Sequence, residues 1–79
     1  VAKSKRELIE IELIEDSPAI GLSIGELVLP AQTIIAVVAR GEATLIPKGS
    51  TRLEVGDHVF IITKLLDKQA VESCFYHDS

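Results

Sequence analysis

Apolar and polar residues alternate near the start of the chain, with Ile9, Ile11 and Leu13 on one side of an extended backbone and Glu10 and Glu12 on the other. That period of two predicts a strand over residues 7–15 with one wet face, because helical spacing would carry the glutamates into the core. Asp16-Ser17-Pro18 ends it, since Pro18 lacks an amide donor and biases the preceding residue away from helix. A helix-start signal follows. Ser23 and Glu26 fit a capping box, and Leu22 and Leu27 occupy the two positions of a hydrophobic staple. The predicted helix runs about two turns and stops at Pro30. Gly25 inside it costs propensity, which signals close packing against a strand.

Thr33 to Ala39 is a continuous apolar run with no wet face, so a central strand covered on both sides is expected. Gly41 and Glu42 form a short connection to a second strand, Ala43 to Ile46, with Gly41 able to supply a positive φ. Pro47 sits at that strand's end, where a missing donor is tolerated. Residues 48–57 read as a polar loop anchored inward by Leu53 and Val55 and closed by a Gly56-Asp57 turn. His58 to Thr63 is the fourth strand. Leu66, Ala70, Val71, Cys74 and Phe75 then form the apolar stripe of a final amphipathic helix, with Asp67 in its first turn. The order is β-α-β-β-β-α. It predicts an α+β domain with two helices packed on a mixed or antiparallel four-stranded sheet.

Composition adds a second expectation. Hydrophobic residues make up 47% of the 79-residue chain, yet only Phe60, Phe75 and Tyr76 are aromatic, so Ile, Leu and Val must build the core. A chain this short buries only about 60% of its unfolded surface. Cys74 is the only cysteine, so no disulfide forms within the chain, and one free thiol suits a reducing compartment. The excess of aliphatic surface points to a partner face, and a homodimer is expected. Net charge is −4 without a basic stripe, which argues against nucleic acid as a partner. No apolar run approaches the ~18 residues of a membrane span. The chain has no methionine, and Ala2-Lys3-Ser4-Lys5 reads as the end of a linker within a longer protein. The expected division is a linker end over 1–6, one domain over 7–76 and a frayed terminus over 77–79.

Candidate chemistry is sparse. Glu10 and Glu12 share a face and, with Glu15 or Asp16, offer carboxylates to a divalent cation, although acidic strand faces are commonly just solvated and guard against aggregation. His58 beside Asp57 suggests a base and its orienting acid, but no serine or cysteine nucleophile accompanies them. Asp57 reads better as a cap of its own turn, and an enzyme is not expected. Cys74 and His77 supply too few ligands for structural zinc, so no metal site is assigned. Arg40 ends the apolar strand, where its planar fork suits a phosphate, or where it simply solvates a hairpin end.

The ordered pattern Gly21-x-Ser23-Ile24-x-Glu26-Leu27-x-Leu29-Pro30, Ile34-Ile35-Ala36-Val37-Val38-x-Arg40-Gly41, Pro47 and Leu53-x-x-Gly56-Asp57-x-Val59 resembles the TrkA C-terminal (RCK C-terminal) domain family over roughly residues 7–76. The resemblance implies a regulatory, dimerising domain on the cytoplasmic side of the inner or plasma membrane. It would be the soluble part of a potassium channel, a potassium uptake system or a sodium/proton or potassium antiporter, with the membrane-embedded portion of the same protein as its partner. It also implies a regulatory ligand at the dimer cleft, a cyclic dinucleotide or a divalent cation, with no other cofactor. Matching positions make Val38, Arg40, Gly41 and Pro47 the candidate ligand residues. Ile35, Val37 and Val38, in the apolar run, are the candidate dimer interface. The alternative is a structural dimerisation module that binds nothing. No Gly-x-Gly-x-x-Gly segment is present, so NAD or ATP binding is not expected.

Overall fold

The computed structural model describes residues 5–77. Alternation produces the expected first strand, β1 (Arg6–Glu12), which buries Ile9 and Ile11 and leaves Glu10 and Glu12 exposed. The other strands are β2 (Ile34–Arg40), β3 (Ala43–Leu45) and β4 (His58–Lys64). They form one sheet in the order β1-β4-β2-β3. Every neighbouring pair is antiparallel, which resolves the mixed-or-antiparallel alternative. A two-residue turn joins β2 to β3, because Arg40 pairs with Ala43 and Gly41 takes φ 57° between them.

The sheet carries the core on one side. Ile9, Ile11, Val38, Val59 and Ile61 project from the strands and meet Leu13, Ala19, Leu53, Val71 and Phe75 from the covering segments. Val71 and Phe75 come from the chain's last segment, where α1 (Lys68–Glu72) follows a 3₁₀ turn over Leu65–Asp67. The predicted stripe is only partly realised. Val71 and Phe75 are buried and Cys74 is half-buried, but Ala70 is exposed and Leu66 is 87% exposed. Leu66 precedes α1, so its direction is set by the 3₁₀ turn and not by the helical period.

The first predicted helix is a single 3₁₀ turn, Ile24–Glu26. Its backbone pairs elsewhere: the amides of Ile24 and Gly25 donate to Thr51 O and Gly49 O, both at 2.9 Å. These bonds draw residues 21–25 alongside residues 49–53, and the turn ends where Leu27 returns to extended backbone at φ −74° and ψ 138°. The capping glutamate still acts, since the Ser23 amide donates to Glu26 Oε1 at 2.8 Å. Gly25 does lie close to a neighbour. A Cβ there would stand 3.2 Å from Gly49 O, a loop carbonyl and not a strand.

Two further expectations need correction. Val55 is 56% exposed and only Leu53 anchors the loop. β2 is not covered on both sides, because its Ile34 is exposed and Val38 alone among its residues is fully buried. Arg6 already belongs to β1, paired with Lys64, whereas residues 1–4 of the expected linker and residues 78–79 of the expected frayed end lie outside the described residues.

Candidate functional site

Two surfaces of the sheet hold the residues singled out by sequence. The first is the core-side end of β2. Asp57 lies in the turn entering β4, and the amide of Glu54 donates to its Oδ2 at 2.9 Å, so it caps that turn as expected. Its larger partner was not foreseen. Arg40 Nε reaches Asp57 Oδ1 and Arg40 Nη2 reaches Oδ2, each at 2.9 Å, a two-pronged pair. Arg40 also donates to Arg52 O at 2.8 Å, and its Nη1 lies 3.1 Å from Glu54 Oε2. Arg52 in turn donates to Gly21 O at 2.8 Å, which links the network to the loop carrying the 3₁₀ turn.

Electrostatics follow from this geometry. Burial pushes the Asp57 carboxyl upward, but the bonds from Arg40 and the Glu54 amide, with the attraction of Arg40, outweigh it and hold the group below the ordinary carboxylate range. The same hydrogen bonds to Asp57 raise Arg40 further, so the pair stays doubly charged at neutral pH. The sequence signal for it was an arginine at a strand end and a Gly-Asp turn, 17 positions apart, each with an adequate local explanation.

The four candidate ligand residues are therefore of unlike character. Gly41 is exposed at the hairpin tip and Pro47 is half-buried just past β3. Arg40 is partly exposed, with its fork occupied by carboxylates and a carbonyl. Val38 is fully buried in the monomer's own core.

The second surface is the opposite, outer face. Leu8, Ala36, Val37, Phe60 and Ile62 line an open apolar groove of 420 Å³ there. Leu8 is 64% and Ile34 57% exposed beside it. The candidate interface residues divide between the faces. Val37 is on the outer face, whereas Ile35 packs against the core and Val38 lies within it. A register shift between Ile35 and Val37 explains the division. Ile35 pairs with Ile61, Val37 with Phe60 and Val38 with Val59, leaving Ala36 as the extra residue of a bulge. An extra residue reverses the alternation, so Ile35 and Val38 point the same way across an odd spacing.

The remaining candidates have ordinary partners. His58 Nδ1 contacts Glu10 Oε2 at 2.9 Å and not Asp57. Among the described residues no group of three or more His, Cys, Asp or Glu side chains is placed to hold a metal ion. Cys74 donates from Sγ to Val28 O at 3.2 Å, and burial pushes its thiol pKa up, away from reactivity. No helix among the described residues is long and apolar enough to cross a membrane.

Comparison with known proteins adds context to this geometry. The family model of the TrkA-C domain matches residues 8–71. A Trk system potassium uptake protein TrkA homolog of Archaeoglobus fulgidus is 38% identical over 71 residues, spanning 90% of this chain and 16% of that protein. The K(+)/H(+) antiporter NhaP2 of Shewanella baltica is 35% identical over 72 residues, spanning 91% of this chain and 12% of that protein. The chain thus corresponds to a minor part of each relative's length. Among solved structures, the RCK C domain of the potassium transport protein KtrA, in complex with cyclic diadenosine monophosphate, superposes with a TM-score of 0.71 at 28% identity. The match covers 87% of this chain and 82% of that one. An RCK domain with cda gives a TM-score of 0.74 at 16% identity, covering 87% and 97%, and supports the fold alone.

Proposed function

Because the chain belongs to the TrkA-C domain family, we propose that it is a regulatory, self-associating domain on the cytoplasmic side of a potassium uptake or cation/proton antiport protein, and that it senses a cyclic dinucleotide. The observation that carries the self-association is the apolar groove on the outer face of the sheet, from which one monomer does not exclude water. Relatives in both a potassium uptake system and a K(+)/H(+) antiporter support a role common to cation transport. The KtrA domain's complex with cyclic diadenosine monophosphate supports the ligand class.

A ligand between two copies acts on the parent transporter only through its different affinities for the two arrangements of the pair. No catalytic step is needed for that, and the reading is of a non-enzymatic module. In this reading Gly41 and Pro47 offer backbone and a flat apolar surface at the ligand cleft. Arg40 takes a phosphate by exchanging Glu54, the exposed member of its carboxylate pair, while Asp57 keeps the fork in position.

Calorimetric titration of cyclic diadenosine monophosphate into the chain tests the sensing role. Saturable heat at one ligand per two chains is expected. A flat trace, with the chain still dimeric, would leave the second reading, a structural assembly module. The observation favouring that second reading is that Nε and Nη2 of Arg40 are already hydrogen-bonded within the monomer and Nη1 already faces the Glu54 carboxylate.

A further inference from the structure

The outer face is graded in charge along its strands. Arg6 stands opposite Lys64 at one end of the β1–β4 register. Leu8 pairs with Ile62 one step along and, on the far side of β4, Ile62 pairs with Ile34. Phe60 and Val37 come next, and Glu10 and Glu12 occupy the β1 side from there to the other end. Successive rows on one face lie about 6.8 Å apart. Cations, apolar groove and carboxylates therefore follow one another over about 20 Å.

A second copy is the occupant whose charges match this gradient. Two identical sheets pack face to face through a two-fold axis in the interface plane, and in an aligned packing that axis runs close to the strand direction or close to its perpendicular. An axis along the strands keeps strand direction, so Lys64 approaches its own counterpart and the acidic ends crowd together. An axis across the strands reverses direction and lays each basic end over the partner's acidic end. Like-charge juxtaposition disfavours the first arrangement. We propose that a second copy covers the outer face with its strands reversed, seating Leu8, Phe60 and Ile62 in the shared groove and setting Arg6 and Lys64 of each chain against Glu10 and Glu12 of the other. This inference rests on the self-association reading above, which uses the same outer face, and adds to it the strand direction and the charge pairing.

His58 sits at the acidic end, bonded to Glu10, with Glu12 directly across the register. Its bond orients the Glu10 carboxylate and leaves one oxygen for the incoming cation. Arg6 donates to Gln32 Oε1 at 3.4 Å, a long contact that holds the side chain at the same end of the face.

The test is sedimentation equilibrium of the chain in reducing buffer, with circular dichroism confirming that each variant is folded. Ile62→Asp is expected to raise the dimer dissociation constant about a hundredfold, since an interface centre carries most of the affinity. Should that variant unfold, Leu8→Asp on the exposed edge strand makes the same test. Arg6→Glu and Glu12→Lys are each expected to weaken the dimer about tenfold, because symmetry applies each reversal twice. The double variant is expected to recover to within about threefold of the parent, as the swapped charges meet again. A dimer indifferent to Ile62→Asp and Leu8→Asp would overturn the face while leaving self-association intact. Arg6→Glu that tightens or leaves unchanged the dimer, or a double variant that does not recover, would overturn the reversed direction. A chain that stays monomeric throughout would remove self-association and this inference together.

Discussion

Arg40 and Asp57 close a two-pronged ion pair across the end of the sheet, with both contacts at 2.9 Å and the Asp57 side chain wholly shielded from solvent. The pair ties the last residue of β2 to the turn that launches β4. Asp57 is also held by the Glu54 amide, and no buried side-chain polar atom among the described residues lacks a partner. A buried carboxylate is tolerable only on those terms.

Removing one partner should therefore be costly. Arg40→Ala is expected to lose about 3 kcal/mol of stability, because it strands the buried carboxylate with one amide donor. Arg40→Lys should recover only a part, as an ammonium cannot satisfy both oxygens in one plane. Urea denaturation followed by circular dichroism measures both. A change within ~0.5 kcal/mol for Arg40→Ala, the level of an ordinary surface site, would mean the pair is ornamental.

Acid should expose the same pair. The Asp57 carboxyl is held below its ordinary range in the folded chain, so the folded state binds fewer protons than the unfolded one. Its contribution is complete above the unfolded value of about 3.9 and is lost as pH falls through the lower folded value. Thermal midpoints measured from pH 7 to pH 2.5 should fall steeply only below about 4. Asp57→Asn should start lower and show a shallower acid decline. Equal slopes for the two proteins would assign the acid sensitivity to other carboxylates.

Adjacent valines should behave in opposite ways. Val38→Asp places a charge in the core and is expected to prevent folding. Val37→Asp points into the outer groove, so the monomer should fold with native circular dichroism and fail only in self-association by light scattering. If both variants unfold, or both fold, the division of β2 between two faces is not as the bulge places it.

The final segment offers a similar contrast. Phe75→Ala removes a fully buried ring and is expected to cost about 3–5 kcal/mol, enough to unfold much of a domain this small. Leu66→Ser, at a position 87% exposed, should change stability by no more than about 0.5 kcal/mol. Chemical denaturation of both variants decides whether the stripe begins at Leu66 or at Val71.

What was readable along the chain was whatever consecutive residues settle among themselves. Alternation at Ile9, Glu10, Ile11 and Glu12 specifies a strand because extended backbone turns each side chain to the opposite side. Gly41 marks the hairpin because the turn needs a positive φ, and Gly56-Asp57 closes the loop before β4 for the same kind of local reason. The ordered pattern from Gly21 to Val59 pointed to the family. The capping glutamate, too, is where its spacing put it, although the helix it signalled is one 3₁₀ turn. That turn ends at Leu27, which is extended, and residues 49–53 return to pair with residues 21–25, a contact some 25 positions distant that no local period encodes.

The face assignments belong to the tertiary structure. Six apolar residues in a row, Ile34 to Ala39, carry no mark of which ones look inward, and a single extra residue at Ala36 reverses the answer for everything beyond it. Arg40 looked available to solvent or to a phosphate until the chain brought Asp57 back beside it. Periodicity is a property of neighbours along the backbone, whereas burial and charge pairing depend on which distant segments arrive. Strand identities were therefore fixed locally, and the partners of Val37, Val38 and Arg40 were decided only when the sheet closed.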